Sequence, residues 1–277
     1  MDIVLAEHKL KALRFAPDAP TATVLLLHGW LDNAASFEPL IESMQRIQPQ
    51  FEYIALDLPG HGLSSHSQSG FYPFHDYLDV LHQVIGKLSR PVHLVGHSLG
   101  ALIASCYSAT FPEHVASLTQ IEGYGPMFEE EYHAISRLKK GIQSRQRIVD
   151  KPARYFADIS QMITLRATTT GLAKELVAPI VYRDAVEAKY GWQWRHDKKL
   201  KADSLYRMPP QHAKQVIAHL PTKNLLVLGK QGFAELPHRF VDNPNPNTQL
   251  IELEGGHHCH MTSPEPLARA FFELLAQ

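Results

Sequence analysis

A serine between two glycines is the first candidate for chemistry in this chain. Gly96, Ser98 and Gly100 have the Gly-x-Ser-x-Gly spacing of a nucleophile elbow, in which the serine hydroxyl stands at the end of a strand. The flanking residues must be small because the strand and helix backbones approach each other closely. The start of the following helix carries partial positive charge, which favours a developing anion. The pattern predicts that Ser98 is a nucleophile for acyl transfer.

A serine nucleophile needs a base, and His257 is the best-placed histidine. It follows a predicted strand and two glycines and precedes the last predicted helix, so nucleophile and base come in the order serine first, histidine last. His258 and His260 compete with it by proximity only. Three histidines at this spacing also raise the possibility of a metal site. No carboxylate is evident beside them and the chain has no His-Glu-x-x-His, so we predict no metal and no cofactor.

The elements around Ser98 alternate between strand and helix. A pair of short strands is predicted over Val4–Phe15, before the main sheet. Apolar runs then predict strands at 23–27, 51–56, 92–95 and 115–121, and helical spacing predicts helices at 36–47, with Ser36 as N-cap, at 74–88 and from Leu99 to Phe111. This alternation predicts an α/β fold with a mostly parallel, doubly wound sheet.

The alternation stops between about Gly125 and Leu220, where the sequence is polar, helical in character and without a clear strand. Strands resume at 225–228 and 250–253, and a helix at 265–275 follows. We therefore predict a core formed by residues 1–124 and 221–277, with a helical cap inserted at 125–220. Near the end of this insertion, Trp192 and Trp194 either anchor the cap to the core or contact substrate.

Composition narrows the class of protein. The 277 residues are 44% hydrophobic, with 27 basic and 28 acidic side chains and a net charge of -1, which gives no reason to expect nucleic acid or an anionic membrane as a partner. The two cysteines form no disulfide framework. The start of the chain does not read as a signal peptide, and there is no run of about 18 apolar residues. We expect a cytoplasmic protein without integral membrane association, as a monomer or homodimer.

Four segments, in this order, are similar to motifs of the α/β-hydrolase superfamily: His28-Gly29-Trp30, the loop Asp57–Ser64, Gly96–Gly100 and Gly256-His257. The resemblance covers nearly the whole chain. It is nearest to capped serine hydrolase-like proteins, which are related to epoxide hydrolases and haloalkane dehalogenases. Those two relatives use an aspartate nucleophile. A serine at position 98 therefore implies serine esterase chemistry rather than dehalogenation.

The resemblance also implies an acid and an oxyanion hole. The commonest position of the acid, shortly after the seventh strand, holds no aspartate here. Glu122 ends the sixth strand, where some relatives carry their acid, and Glu235 is the alternative; we place Glu122 first. The oxyanion donors implied by the resemblance are the backbone N–H groups of Leu99 and Trp30.

Together these features predict hydrolysis of a carboxylic ester with a small to medium acyl group, through an acyl-enzyme on Ser98. A thioesterase, an acylglycerol lipase or a C–C bond hydrolase would use the same residues, because the shape of the pocket rather than the triad separates these reactions. An alternative from another class is a catalytically silent relative that binds a small molecule under the cap.

Overall fold

An eight-stranded, mostly parallel sheet forms the centre of the molecule in a computed structural model that describes residues 1–68 and 70–277. Its strands are β1 (Asp2–Val4), β2 (Lys9–Phe15), β3 (Ala22–Leu27), β4 (Phe51–Leu56), β5 (Val92–His97), β6 (Val115–Ile121), β9 (Asn224–Gln231) and β10 (Thr248–Gly256). Their order across the sheet is β1-β2-β4-β3-β5-β6-β9-β10. The pairs β1–β2 and β2–β4 are antiparallel and the remaining pairs are parallel.

Helices cover both faces of this sheet. The helices of the described residues, including those that do not pack on the sheet, are α1 (Glu38–Ile47), α2 (Asp76–Ile85), α3 (Leu99–Thr110), α4 (Ala134–Asp150), α5 (Ile159–Thr170), α6 (Lys174–Asp184), α7 (Pro210–Ala218), α8 (Glu235–Asp242), α9 (Cys259–Thr262) and α10 (Pro264–Ala276). Apolar side chains of α2, α3, α7 and α8 join the hydrophobic cluster on one face, and those of α1, α9 and α10 join the cluster on the other. The predicted doubly wound α/β fold is confirmed.

The central strand β3 is mostly apolar because both of its faces are buried. Residues Val24–Leu27 of β3 are completely inaccessible to solvent, and their side chains enter the two clusters in alternation. Burial of this kind stabilises by about 25 cal/mol for each Å² of apolar surface removed from water. The strand–helix alternation in the sequence therefore reflects the layering of the fold.

The start of the first helix differs from the sequence prediction. A 3₁₀ turn at Ala34–Phe37 precedes α1, and the Asn33 side chain caps it by accepting a hydrogen bond from the backbone N–H of Ala35 at 3.1 Å. Ser36 lies buried inside that turn and is not the N-cap. Asn33 satisfies a free N–H at the start of the turn, so the cap falls three residues earlier than predicted.

Residues 125–220 lie between the neighbouring strands β6 and β9 and are called the insertion below; they contain α4 to α7. Contrary to the prediction of no clear strand, they also contain a two-stranded antiparallel sheet of β7 (Ala185–Ala188) and β8 (Gly191–Trp194). Each strand has only four residues, too few for an alternating pattern to stand out. Trp192 and Trp194 pack against a cluster that belongs to the insertion itself, with the members Phe156, Met162, Val181 and Ala185. In the described part of the chain, no helix is both long and apolar enough to cross a membrane.

Candidate active site

The carboxyl ends of four neighbouring parallel strands, β5, β6, β9 and β10, bring the predicted site residues to one edge of the sheet. The hydrogen-bonding pattern continues one residue past two of these strands. The backbone N–H of Ser98 donates to the Ile121 carbonyl at 2.8 Å, and that of Glu122 donates to the Val227 carbonyl at 2.9 Å. His257 follows β10 directly. Strand order therefore gathers residues that are far apart in the sequence.

Ser98 occupies a strained turn between β5 and α3. Its φ of 49° and ψ of -114° lie outside the regions that non-glycine residues usually adopt. The turn is tight because α3 begins at the next residue and passes close to β3. A Cβ atom at Gly100 would lie only 1.9 Å from the Leu27 carbonyl oxygen, so no other residue type fits there without a backbone shift. The spacing of Gly96, Ser98 and Gly100 and the backbone angles of Ser98 are both typical of a nucleophile elbow.

Backbone strain is concentrated at this edge. In the described part of the chain, the non-glycine residues with positive φ are Leu31 at 59°, Ser98 at 49° and Glu122 at 51°. They follow β3, β5 and β6, which are adjacent in the sheet. Each such residue costs on the order of 1–3 kcal/mol, which the surrounding packing must offset. Strain of this size at three neighbouring loops is typical of a functional site.

Glu122 is held in a fixed orientation beneath His257. Its Oε1 accepts a hydrogen bond from the Gly229 N–H at 2.8 Å, and its Oε2 accepts one from the Phe233 N–H at 3.0 Å. Oε2 also lies 3.2 Å from His257 Nδ1. The carboxylate side chain is 1% exposed and the imidazole 25%. Because an ionised carboxylate can only accept, Nδ1 carries the proton and Nε2 is left with a free lone pair.

The second candidate acid lies elsewhere. Glu235 is an exposed residue in the first turn of α8. Among the residues that the structure describes, it forms no hydrogen bond or ion pair with His257. In the same range, no hydrogen bond joins Ser98 to His257, as is common in hydrolases without bound substrate, where such contacts tighten only in the complex.

The two predicted oxyanion donors lie in the segments that follow the paired strands β5 and β3. Leu99 is the first residue of α3, where N–H groups lack partners inside the helix. Trp30 lies in the loop after β3, the strand paired with β5. The Trp30 indole is 52% exposed, and its Nε1–H donates to the Leu200 carbonyl of the insertion at 2.9 Å. The side chain therefore links the loop after β3 to the insertion.

A second histidine–carboxylate contact lies beside the first, and sequence reasoning missed it. His258 Nε2 is 3.3 Å from Asp32 Oδ2, and His97 Nδ1 is 3.7 Å from the same oxygen. Asp32 is buried and its Oδ1 accepts from the Arg166 guanidinium of α5. Burial opposes the charge of this carboxylate, but Arg166 and His258 together hold the pKa of Asp32 well below its usual value.

The sequence shows no carboxylate beside the three histidines of 257–260. In the structure, Asp32 in the loop after β3 supplies one. Asp32 precedes His258 by 226 residues, so no local pattern connects them. Strand adjacency gives an indirect signal for His97 alone: it ends β5, which is paired with β3, so the loop after β3 must pass close to it.

The insertion is tied to this edge by a second, partly buried arginine. Arg183 of α6 donates from Nε to both carboxylate oxygens of Asp57, at 3.0 and 2.9 Å. Asp57 also accepts from the backbone N–H groups of Ala34 and Leu63. The loop Asp57–Ser64 therefore acts as a structural anchor that connects the core to the insertion.

The chain belongs to the α/β hydrolase fold family, whose family model matches residues 22–264. This confirms the resemblance that the sequence motifs indicated. A serine hydrolase-like protein of Danio rerio is 26% identical over 266 residues, which cover 91% of this chain and 81% of that protein. Human serine hydrolase-like protein 2 is 25% identical over 268 residues, covering 88% and 84%.

Solved structures with the same fold include proteins of known and unknown activity. A hypothetical protein from Pseudomonas aeruginosa PAO1 superposes with a TM-score of 0.90 at 27% identity, covering 100% of this chain and 99% of that one. The thioesterase domain from the curacin biosynthetic pathway has a TM-score of 0.83 at 20% identity and covers 98% of each chain, a likeness of fold. The family and its members support hydrolase activity in general.

Proposed function

We propose that this protein is a serine hydrolase that cleaves carboxylic esters of small to medium acyl groups through an acyl-enzyme on Ser98. The arrangement of Glu122 carries the proposal. Two backbone N–H groups and one imidazole converge on a carboxylate that is almost completely buried, at the same edge of the sheet as a strained serine. A histidine held in this way is oriented and has the tautomer needed for a base.

Each residue has a role in the proposed reaction. His257 Nε2 takes the proton of the Ser98 hydroxyl as its oxygen attacks the ester carbonyl carbon. The N–H groups of Leu99 and Trp30 stabilise the tetrahedral oxyanion. His257 then protonates the departing alcohol, and the acyl group remains on Ser98. Water, deprotonated by His257, releases the acid, while Glu122 stabilises the imidazolium in both steps.

We further propose that residues 125–220 form a cap over a core of residues 1–124 and 221–277, and that the cap selects the acyl group. Contacts from the insertion support this. Arg166 binds Asp32, Arg183 binds Asp57, and the Leu200 carbonyl accepts from the Trp30 indole. All three partners lie in loops at the edge that holds Ser98, so the insertion borders the path of any substrate.

Two measurements test the proposal. A fluorophosphonate probe should label the wild-type protein on Ser98, and a series of p-nitrophenyl esters of graded chain length should be hydrolysed with a maximum at short or medium length. A matching thioester series separates ester from thioester preference. Ser98→Ala should abolish labelling and lower kcat on the order of 10⁴- to 10⁶-fold. If the wild-type protein is neither labelled nor active on any ester, the proposed hydrolase activity is refuted. A non-catalytic relative that binds a small molecule would then be favoured.

A further inference from the structure

Three side chains, one from the end of β5 and two from the loops after β3 and β10, converge beside the candidate active site without taking part in the proposed reaction. Asp32, His97 and His258 each offer one ligand atom, and these atoms all lie within 4.8 Å of one another. Asp32 Oδ2 is the shared neighbour, 3.3 Å from His258 Nε2 and 3.7 Å from His97 Nδ1. A tetrahedral zinc ion with bonds of about 2.0–2.2 Å separates its ligand atoms by about 3.3–3.6 Å. The spacing therefore suits a single small cation.

The protonation of His97 makes this contact unusual. Its Nε2 lies 2.8 Å from the His257 carbonyl oxygen, which can only accept, so the proton of the neutral ring is on Nε2. Nδ1 then directs a lone pair at the Asp32 carboxylate. That nitrogen is buried and has no hydrogen-bond partner among the described residues.

Position 29 holds a glycine, so no side chain from this position enters the cluster. A Cβ atom at Gly29 would lie 2.9 Å from His97 Nδ1 and 3.2 Å from Asp32 Oδ2. Glycine therefore leaves clear the volume next to both ligand atoms. The other Asp32 oxygen, Oδ1, faces the Arg166 guanidinium, so the carboxylate presents only Oδ2 to the two imidazoles.

We propose that Asp32, His97 and His258 form a binding site for a divalent transition-metal ion, with Zn²⁺ as the best match to two imidazoles and one carboxylate. Water completes the coordination. Binding replaces the hydrogen bond between His258 and Asp32, and the His258 proton moves from Nε2 to Nδ1, so that the imidazole stays neutral. Histidines that bind metals usually donate their other ring N–H to a carbonyl or carboxylate, which orients the ring. His97 Nε2–H donates to the His257 carbonyl in this way.

Such a site would join the end of β5 to the loops after β3 and β10. His97 precedes Ser98 and bonds to the His257 backbone, and His258 follows His257. A bound ion would therefore fix the positions of nucleophile and base relative to each other without contacting substrate. The site does not depend on the proposed hydrolase function, and its test uses readouts other than turnover.

Metal-stripped full-length protein is dialysed against Zn²⁺ and analysed for bound metal, and Co²⁺ is added in parallel because its visible absorption reports coordination by nitrogen and oxygen ligands. We expect one tight equivalent and a rise in Tm of about 5 °C at about 100 times Kd. His258→Gln and His97→Gln should each remove the tight equivalent and the rise. His212→Gln, which changes an exposed histidine of α7, should keep both.

The chain has 17 histidines, so weak metal binding at the surface is expected and the comparison of variants decides the outcome. Binding that is absent, or that is equally weak in the wild type, His258→Gln and His212→Gln, would overturn the proposal. The Asp32 cluster would then be an ion pair between the core and α5. If His97→Gln fails to fold, His258→Gln alone carries the test, because its side chain is at the rim of the cluster with 10% exposure.

Discussion

Two adjacent histidines face two different carboxylates. His257 contacts Glu122, which comes from β6, and His258 contacts Asp32, which comes from the loop after β3. Both carboxylates are at most 2% exposed. They differ in what else holds them: Glu122 is bound by two backbone N–H groups, whereas Asp32 is bound by the guanidinium of Arg166.

The other groups bound to each carboxylate give the two histidine–carboxylate pairs different roles. Backbone N–H groups orient Glu122 but leave its negative charge uncompensated, so it can stabilise an imidazolium that forms on His257. The charge of Asp32 is already balanced by Arg166, so a positive charge on His258 would gain less from it. We infer that the Glu122 pair is suited to proton transfer and that the Asp32 pair is suited to cross-linking loops.

The largest expected effect comes from removing the charge of Glu122. Glu122→Gln should lower kcat for ester hydrolysis about 10⁴-fold, because the neutral amide no longer stabilises the imidazolium or fixes its tautomer. Steady-state kinetics with a p-nitrophenyl ester would measure this. Glu235→Gln, which changes the alternative acid, is the matched control and should leave kcat unchanged. A larger loss of kcat in Glu235→Gln than in Glu122→Gln would show that Glu235 is the catalytic acid.

Removing the Arg166 partner of Asp32 should instead lower the free energy of unfolding. Arg166→Met leaves a buried carboxylate without its cation, and we expect a loss of about 3–5 kcal/mol in the free energy of unfolding. Denaturant titration measures the loss, and the double variant Arg166→Met/Asp32→Asn should recover part of it. Arg269→Met removes an exposed pair with Glu265 and should cost less than about 1 kcal/mol. Equal losses in the two arginine variants would contradict a buried, coupled pair.

A smaller effect is expected from moving Glu122 without changing it. A Cβ atom at Gly232 would lie 2.1 Å from Glu122 Oε1, so Gly232→Ala must displace the carboxylate. A shift of about 1 Å should lower kcat about 10²-fold while the charge is retained. Gly86→Ala, at an exposed helix end where the nearest atom would be 3.4 Å away, serves as the control. Unchanged kcat in Gly232→Ala would mean that the position of Glu122 matters little.

The sequence predicted the first histidine–carboxylate pair but not the second. Ser98, His257 and Glu122 each stand at the end of a strand that is recognisable from its apolar run, and parallel strand order brings such ends together. The glutamate was also preferred over Glu235 by resemblance to known motifs. Local signals were sufficient because each residue follows its own strand directly.

Asp32 gave no comparable signal. It lies five residues past the end of β3, in a loop whose path is set by the positive φ of Leu31 and by the packing of α5. Its partner Arg166 lies in the insertion, where helices were expected but neither their packing nor the short strands β7 and β8 were predicted. Long-range contacts between a loop and an insertion depend on tertiary packing, which neither periodicity nor spacing encodes.

The smallest expected effect is a dependence of the free energy of unfolding on pH, caused by buried histidines. His260 is fully buried beside His97, with neither ring nitrogen paired among the described residues, and burial lowers its pKa to about 3. The pKa of His97 is lowered as well. In the unfolded chain both titrate near 6.5, so below that pH the unfolded state binds more protons than the native state.

Stability should therefore be highest above about pH 6.5 and should fall by about 1.4 kcal/mol per pH unit for each buried histidine as the pH decreases toward 5. Urea unfolding at a series of pH values measures this slope. His260→Leu removes one titrating group and its unpaired nitrogens, so we expect a shallower slope and no loss of stability at pH 7. His212→Leu, which changes an exposed histidine, should keep the wild-type slope. Identical slopes in the wild type and His260→Leu would show that His260 is protonated in the native state, and the buried cluster would then hold positive charge next to Asp32.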